Sequence, residues 1–195
     1  MLRIENTKVY DLEESVIACR NSMRLVPPEY TEEEFRDSLL RAEVLSKQGG
    51  GSGHTNFRVG IRVSFDLYYP QYVSPELQRY HFFDIVCSSS KMHRLARMDT
   101  DRCFNKYVTD YFKEGFKGLL KEYNTHPTYE NFMTMVSCCP QGLELFMRCS
   151  TNYEQLATIY RQRKSHKLKE DWGAFCEWIE TLPYFDRLIA PDEGR

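Results

Sequence analysis

Alternating apolar and polar positions predict a half-buried strand between residues 57 and 65. Every second position in this segment is apolar, namely Phe57, Val59, Ile61, Val63 and Phe65. A period of two is that of a strand with one face against a core. Shorter segments at residues 7–10 and 143–147 predict two further strands.

Apolar residues at helical intervals predict several helices. Thr31 with Glu34, and Thr151 with Glu154, have the spacing of a capping box, which marks the start of a helix. Another helix is predicted to begin at Pro75 and run to Val86, so that it carries Arg79 and His81. The remaining predicted helices cover residues 12–19, 99–123, a short segment capped by Thr128, and 172–179.

The chain is long enough to form one domain over residues 1–195. Its 195 residues are 42% hydrophobic, which suffices to bury a core. Residues 47–55 are rich in glycine and are predicted to form a flexible loop, either a plain linker or a backbone that approaches a ligand closely. This loop lacks the lysine of a P-loop, and residues 184–195 are predicted to be a polar tail.

Charge and cysteine usage narrow the possible functions. A formal net charge of -2 gives no general attraction to DNA or to an anionic membrane. No apolar run reaches the roughly 20 residues needed to span a bilayer, so a cytoplasmic protein is expected. The seven cysteines are scattered and form no CxxC pair, which predicts reduced thiols and no metal site.

Two groups of cations and hydroxyls are the candidate chemistry. Arginine forks match phosphate oxygens, and serine hydroxyls complete such a shell, so together the groups predict one site for a phosphorylated nucleotide. The first group contains Arg79, His81, Ser88, Ser89, Ser90, Lys91, His93 and Arg94. The second contains Asn152, Arg161, Arg163 and His166.

Each candidate also has an ordinary structural interpretation. Arg79 can pair with a carboxylate, His81 can lie in a core, and the three serines can form a turn. Cations at the end of the helix that follows residue 152 complement its dipole. Arg161 and Arg163 point about 200° apart on a helix, so one of them is expected to face a ligand.

Several of these features occur in an order that is similar to a known family. An early Ile17-Ala18-Cys19-Arg20 stretch and a Gly53-His54 pair precede the strand at Val63-Ser64-Phe65. Arg79-Tyr80-His81 is followed after seven residues by Ser89, and a late segment runs from Asn152 to Arg163. Over most of the chain this order resembles the flavin-dependent thymidylate synthases.

The resemblance implies an α+β fold with a small antiparallel or mixed sheet and several packed helices. It also implies FAD and dUMP as ligands and a bacterial or phage homotetramer in which subunits share the sites. The family signature reads R-H-R, seven residues, S, and here Tyr80 and His81 replace its His and second Arg. Trp172 lies where the family has a Trp, but the family's following Arg is absent.

Three functions are therefore open. The first is a protein that binds or sequesters a uridylate-like or signalling nucleotide on this scaffold, with altered or lost flavin chemistry. The second is an active enzyme that methylates dUMP with FAD, NADPH and methylene-tetrahydrofolate, in which His81 assumes a phosphate or flavin contact. The third is a non-catalytic interaction module whose cations are surface residues.

Overall fold

The computed structural model describes residues 1–48 and 53–191. The middle of the predicted glycine-rich loop and the end of the predicted tail lie outside these residues. The strands are β1 (Arg3–Tyr10), β2 (Arg62–Pro70), β3 (Asp84–Ser88) and β4 (Glu144–Asn152). The helices are α1 (Leu12–Ala18), α2 (Glu32–Ser46), α3 (Phe57–Gly60), α4 (Ser74–Leu77), α5 (Lys91–Arg94), α6 (Asp110–Thr125), α7 (Tyr129–Ser137), α8 (Tyr153–Arg163) and α9 (Lys169–Glu180).

The four strands form one antiparallel sheet in the order β1-β2-β4-β3. Alternate residues of the two central strands are buried on the same face, as the registers Val63 with Thr151 and Phe65 with Cys149 show. Helices α8 and α9 pack against this face. β3 lies at one edge of the sheet, and all five of its residues are exposed.

An aromatic cluster forms the centre of the core. Phe65 from the sheet packs against Phe83, and both rings contact Phe175 of α9. Trp172, on the same helix, is fully buried and meets Phe175 edge to face. These contacts fix α9 and the segment before β3 on the same face of the sheet.

Side-chain caps define several helix starts, among them those of α2, α7 and α8. Thr31 Oγ1 accepts a hydrogen bond from Glu34 N, and Thr128 Oγ1 accepts one from Asn131 N, as their spacing predicts. The prediction that Thr151 caps α8 is wrong. Asn152 Oδ1 accepts from Gln155 N at 2.8 Å, whereas Thr151 lies in β4 and its hydroxyl donates to Phe82 O.

Four predicted elements differ from the structure. The described part of the predicted polar tail forms a helical turn at Phe185–Ile189, whose Leu188 and Ile189 are buried in the core. The helix from Pro75 to Val86 ends at Leu77, because residues 84–88 pair with β4 and leave Arg79 and His81 in a turn. The strand predicted over residues 57–65 is a helical turn as far as Gly60 and a strand only from Arg62. The helix predicted from residue 99 begins at Asp110.

Membrane spans, cysteines and metal-ligating groups can also be compared with the structure. Among the described residues, no helix has the length and apolar character of a membrane span. All seven cysteines are free thiols. Within residues 1–48 and 53–191, no three His, Cys, Asp or Glu side chains are grouped as a metal site. The predicted α+β fold with a small antiparallel sheet and packed helices is confirmed.

Candidate functional site

A pocket of about 590 Å³ lies between α8 and the turn that precedes β3. It brings part of the first predicted group together with one member of the second. Its lining residues are Arg79, Tyr80, His81, Phe82, Glu154, Gln155, Thr158, Gln162 and Arg163.

Polar contacts hold the turn against α8. Gln155 Oε1 accepts a hydrogen bond from Phe82 N at 3.3 Å, and Thr151 Oγ1 donates to Phe82 O at 2.7 Å. At the other end, the hydroxyl of Tyr80 donates to Gln162 Oε1 at 3.1 Å. The intervening side chain of His81 and the neighbouring side chain of Arg79 are exposed at the pocket.

Arg163 is held by the protein itself. Its Nη1 donates to Glu76 Oε2 at 2.9 Å, and its Nε donates to the Tyr80 hydroxyl at 2.7 Å. The guanidinium also lies 4.3 Å from the centre of the Trp172 ring, which is a cation–π distance. Burial raises the pKa of Tyr80, and the hydrogen bond from Arg163 opposes that rise. Arg163 is thus a fixed cation in the pocket wall.

His166 belongs to the same packing arrangement. Its Nε2 lies 3.8 Å from Glu76 Oε1, and its Nδ1 accepts a hydrogen bond from Leu168 N. The ring also meets Trp172 edge to face. His166 therefore orders the connection between α8 and α9 and does not line the pocket.

A carboxylate lies at the opposite end of the pocket from Arg163. Glu154 Oε2 accepts from Arg58 Nη1 at 3.4 Å, and Arg58 Nη2 donates to Ser46 O at 3.0 Å. Arg58 is 4% exposed, and burial lowers its pKa while Glu154 opposes that change. No local sequence pattern indicates this pair, because its members are 96 positions apart.

The other two members of the second group lie elsewhere. Asn152 is fully buried as the cap of α8, so its side chain is not at the pocket surface. Arg161 is exposed and does not line the pocket. Within the described part of the chain, Arg161 forms no ion pair. Of the two late arginines, it is Arg163 that the fold directs to the pocket.

The serine-rich part of the first group forms a separate surface at the far end of β3. Ser89 extends the pairing with β4, because its N donates to Phe146 O and its Oγ accepts from Phe146 N. Ser90 Oγ caps α5 by accepting from His93 N. Ser88, Ser89, Ser90 and Arg94 line a depression of about 480 Å³, and Ser89, His93 and Arg94 line a neighbouring one of about 450 Å³.

The predicted single site is thus split within one chain. The turn with Arg79 and His81 precedes β3, and the surface with Ser88 and Arg94 follows it. Five residues of extended strand span about 16 Å. Lys91 is half-buried beside this second surface and lines neither depression.

Residues that the sequence did not single out complete both surfaces. Gln155 and Gln162 line the pocket with Arg163. Arg97 and Arg148 add cations beside the serines, although Arg148 is 3.1 Å from Asp66. The i, i+4, i+8 positions of Glu154, Thr158 and Gln162 place them on one face of α8, which is a signal present in the sequence once the helix is known.

No protein-family model matches this sequence, and no curated protein matches it by sequence similarity. Solved structures do resemble the fold. One is the flavin-dependent thymidylate synthase ThyX from Helicobacter pylori complexed with FAD and dUMP, with a TM-score of 0.71, 13% identity, and coverage of 99% of this chain and 100% of that one. A second structure of the same enzyme with FAD and dUMP has a TM-score of 0.70, 15% identity and 98% coverage of both chains.

A UMP/dUMP methylase, PolB from Streptomyces cacaoi bound with 5-Br dUMP, is similar as well. Its TM-score is 0.63 at 13% identity, with 98% of both chains covered. The similarity to these structures extends over nearly the whole chain, at 13% to 15% sequence identity. The fold that the sequence resemblance predicted is confirmed: this chain has the fold of the flavin-dependent thymidylate synthases.

Proposed function

We propose that this protein binds a phosphorylated, uridylate-like nucleotide in the pocket between α8 and the turn before β3. The observation that carries the proposal is the position of Arg79 and His81 at the pocket, where neither side chain has a hydrogen-bonding partner among the described residues. Arg163 adds a fixed positive charge beside them. The guanidinium of Arg79 forms no ion pair with a carboxylate among the described residues, so it is free to bind two phosphate oxygens at once.

The known ligands of structurally similar proteins agree with this ligand class. The solved structures with the same fold hold dUMP with FAD, or 5-Br dUMP. A pocket of about 590 Å³ is within the usual range for a small-molecule site. A mononucleotide, with one phosphate and one base, uses both the cationic and the neutral polar groups that line it.

A second copy of the chain is proposed to complete the site. β3 is an exposed edge strand, and Phe82, Ile85 and Val86 on it or beside it are 56%, 42% and 65% exposed. Such an apolar edge is normally covered. If another copy packs there, its Ser88, Lys91, His93 and Arg94 can approach the pocket that they do not reach within one chain. A homo-oligomer, with a homotetramer as the family expectation, follows from this proposal.

Among the described residues that line the pocket, Arg79 is the one arginine without an ion pair, which leaves little positive charge for FAD in addition to a nucleotide. FAD and a substrate nucleotide together carry three phosphate groups, whereas Arg163 in the pocket wall is already paired with Glu76. The Glu154 carboxylate also lines the pocket and repels a diphosphate. Because Tyr80 and His81 replace the His and second Arg of the family signature, we propose nucleotide binding with altered or lost flavin chemistry, and the active thymidylate synthase is the alternative.

Isothermal titration with dUMP, UMP, dTMP, dCMP and FAD tests the proposal directly. We expect dUMP or UMP to bind, and Arg79→Ala to weaken that binding about tenfold or more, as loss of a charge-assisted hydrogen bond does. Arg36→Ala, which removes an exposed arginine from α2, is the matched control and leaves binding unchanged. Absence of binding by every nucleotide would remove the proposal.

The absorbance spectrum of the purified protein distinguishes the alternative. A protein that retains FAD absorbs near the flavin bands, and NADPH oxidation that depends on dUMP would then support the enzyme. A colourless protein that binds dUMP supports the binding function. A colourless protein that self-associates but binds no nucleotide would support the third function, a non-catalytic interaction module.

A further inference from the structure

The polar groups of the pocket are arranged asymmetrically along α8. Glu154 lies in the first turn of this helix and Arg163 at its end. With a rise of 1.5 Å per residue, the two are about 13 Å apart. The turn runs alongside in the opposite direction, since Tyr80 contacts Gln162 and Arg163, and Phe82 contacts Gln155. Arg79, next to Tyr80, therefore belongs to the Arg163 end.

This asymmetry fixes the direction in which a nucleotide can lie. A phosphate placed beside the Glu154 carboxylate is repelled, whereas at the other end it meets Arg79 and Arg163. The base must then occupy the end of the pocket near Glu154 and Gln155. The Glu154 carboxylate at this end is a negatively charged hydrogen-bond acceptor, which suits a base that presents an N–H group to it.

The contacts of these two side chains leave complementary groups available. Glu154 uses Oε2 to pair with Arg58, and its Oε1 has no partner among the described residues. Gln155 uses Oε1 to accept from Phe82 N, so its amide NH₂ remains as a donor. The pocket thus offers a charged acceptor from one residue and a neutral donor from the next.

We propose that Glu154 is the specificity residue of the pocket, accepting the ring N–H of a uracil-type base while Gln155 donates to the adjacent carbonyl. This proposal rests on the proposed function and adds its base preference. The imide edge of uracil presents an N3–H between two carbonyl oxygens. Cytosine presents an unprotonated N3 at the same place, so Glu154 and that nitrogen would be two acceptors facing each other, which costs affinity.

Titration of three ligands against two proteins tests the base preference. We expect the natural chain to bind dUMP at least tenfold more tightly than dCMP, and at least tenfold more tightly than dUMP methylated at N3. In Glu154→Gln the side-chain amide can donate to the N3 of cytosine, and the dUMP-to-dCMP ratio is expected to fall to within about threefold. Because a ratio is compared, a loss of active protein in the variant does not affect the result.

A matched control and the methylated ligand keep the outcomes separate. Glu177→Gln removes an exposed carboxylate from α9 and is expected to retain the original ratio. Equal binding of dUMP and dCMP by the natural chain overturns the base preference while leaving nucleotide binding intact. An unchanged ratio in Glu154→Gln does the same. If Glu154→Gln does not fold, tight binding of N3-methylated dUMP by the natural chain still overturns it. No binding of any nucleotide overturns both proposals.

Discussion

Arg163 and Glu76 form a 2.9 Å ion pair that joins the end of α8 to α4. Their side chains are 11% and 23% exposed, and Trp172 Nε1 also donates to Glu76 at 2.6 Å. Arg163, which was predicted from the sequence to bind a ligand, is thus also part of the framework around the pocket. Its replacement affects stability as well as binding.

The first prediction separates the two late arginines. Arg163→Ala leaves Glu76 partly buried without its cation and removes the stacking on Trp172, so we expect the free energy of unfolding to fall by about 2 kcal/mol. Arg161→Ala removes an exposed side chain and is expected to change it by less than about 0.5 kcal/mol. Urea unfolding followed by tryptophan fluorescence measures both values.

Binding data on the same variants complete that comparison. We expect Arg163→Ala to lose nucleotide affinity under conditions where it remains folded, and Arg161→Ala to keep it. The opposite order, with Arg161 needed and Arg163 dispensable, would contradict the pocket as the binding site. Arg163→Lys serves as a further variant, because it keeps the charge but not the fork that reaches Tyr80 and Glu76.

The role of Asn152 is the subject of a second prediction. The side chain is fully buried, and its Oδ1 caps α8. Asn152→Ala is expected to lower the free energy of unfolding by about 1 kcal/mol, while Asn152→Ser keeps a capping oxygen and loses less. Thermal unfolding measures this order. Nucleotide affinity of folded protein should be equal in both variants, and a selective loss of affinity would show that Asn152 contacts the ligand.

The sequence was informative where the local signal and the tertiary structure agree. Thr31 and Thr128 cap helices because capping depends on residues three positions apart. The segment from Pro75 to Val86 has helical apolar spacing, but pairing with β4 draws residues 84–88 into the sheet. That pairing joins residues 59 to 66 positions apart, and no local pattern reports it.

The candidate site likewise contains residues that were predicted from the sequence and residues that were not. Arg79, His81 and Arg163 were predicted from residue type and do line one pocket. Glu154 was noted only as part of a capping box and Gln155 not at all, because their place at the site depends on Arg58 and Phe82, which are far away in sequence. Ser89 and Ser90 were assigned to a ligand from their hydroxyls, and the fold uses both hydroxyls in its own hydrogen bonds.

A third prediction concerns pH. Glu34 accepts hydrogen bonds from Arg24 and Ser38 and pairs with Arg20, and the hydrogen bond from Arg24 is the main cause that lowers its pKa. A lowered folded-state pKa gives stability that is present above the unfolded value of about 4.3 and lost as the pH falls through the folded pKa. We expect the urea midpoint to fall on acidification below about pH 4.5.

The variant Glu34→Gln assigns that pH dependence to its source. It should be less stable than the natural chain at pH 7, and the difference between the two should shrink as the pH approaches 3. Glu177→Gln, with an exposed carboxylate, is expected to follow the natural chain throughout. A constant difference between pH 7 and pH 3 for Glu34→Gln would show that the carboxylate's charge is not the stabilising feature.

The last prediction uses cysteine labelling to detect a second copy on β3. Cys87 on β3 and Cys138 after α7 are exposed, whereas burial raises the pKa of Cys139, Cys149 and Cys176 to about 11, 12 and 11. Since the thiolate is the reactive form, the buried thiols should react slowly and the two exposed ones rapidly in an isolated chain. If another copy covers β3, Cys87 alone becomes protected, and dilution below the dissociation constant of the oligomer restores its reaction. Mass spectrometry of the labelled peptides, with Cys87→Ser as the control for assignment, gives each rate. Equal labelling of Cys87 and Cys138 at every protein concentration would mean that β3 stays open and that the serine-rich surface cannot reach a neighbouring pocket.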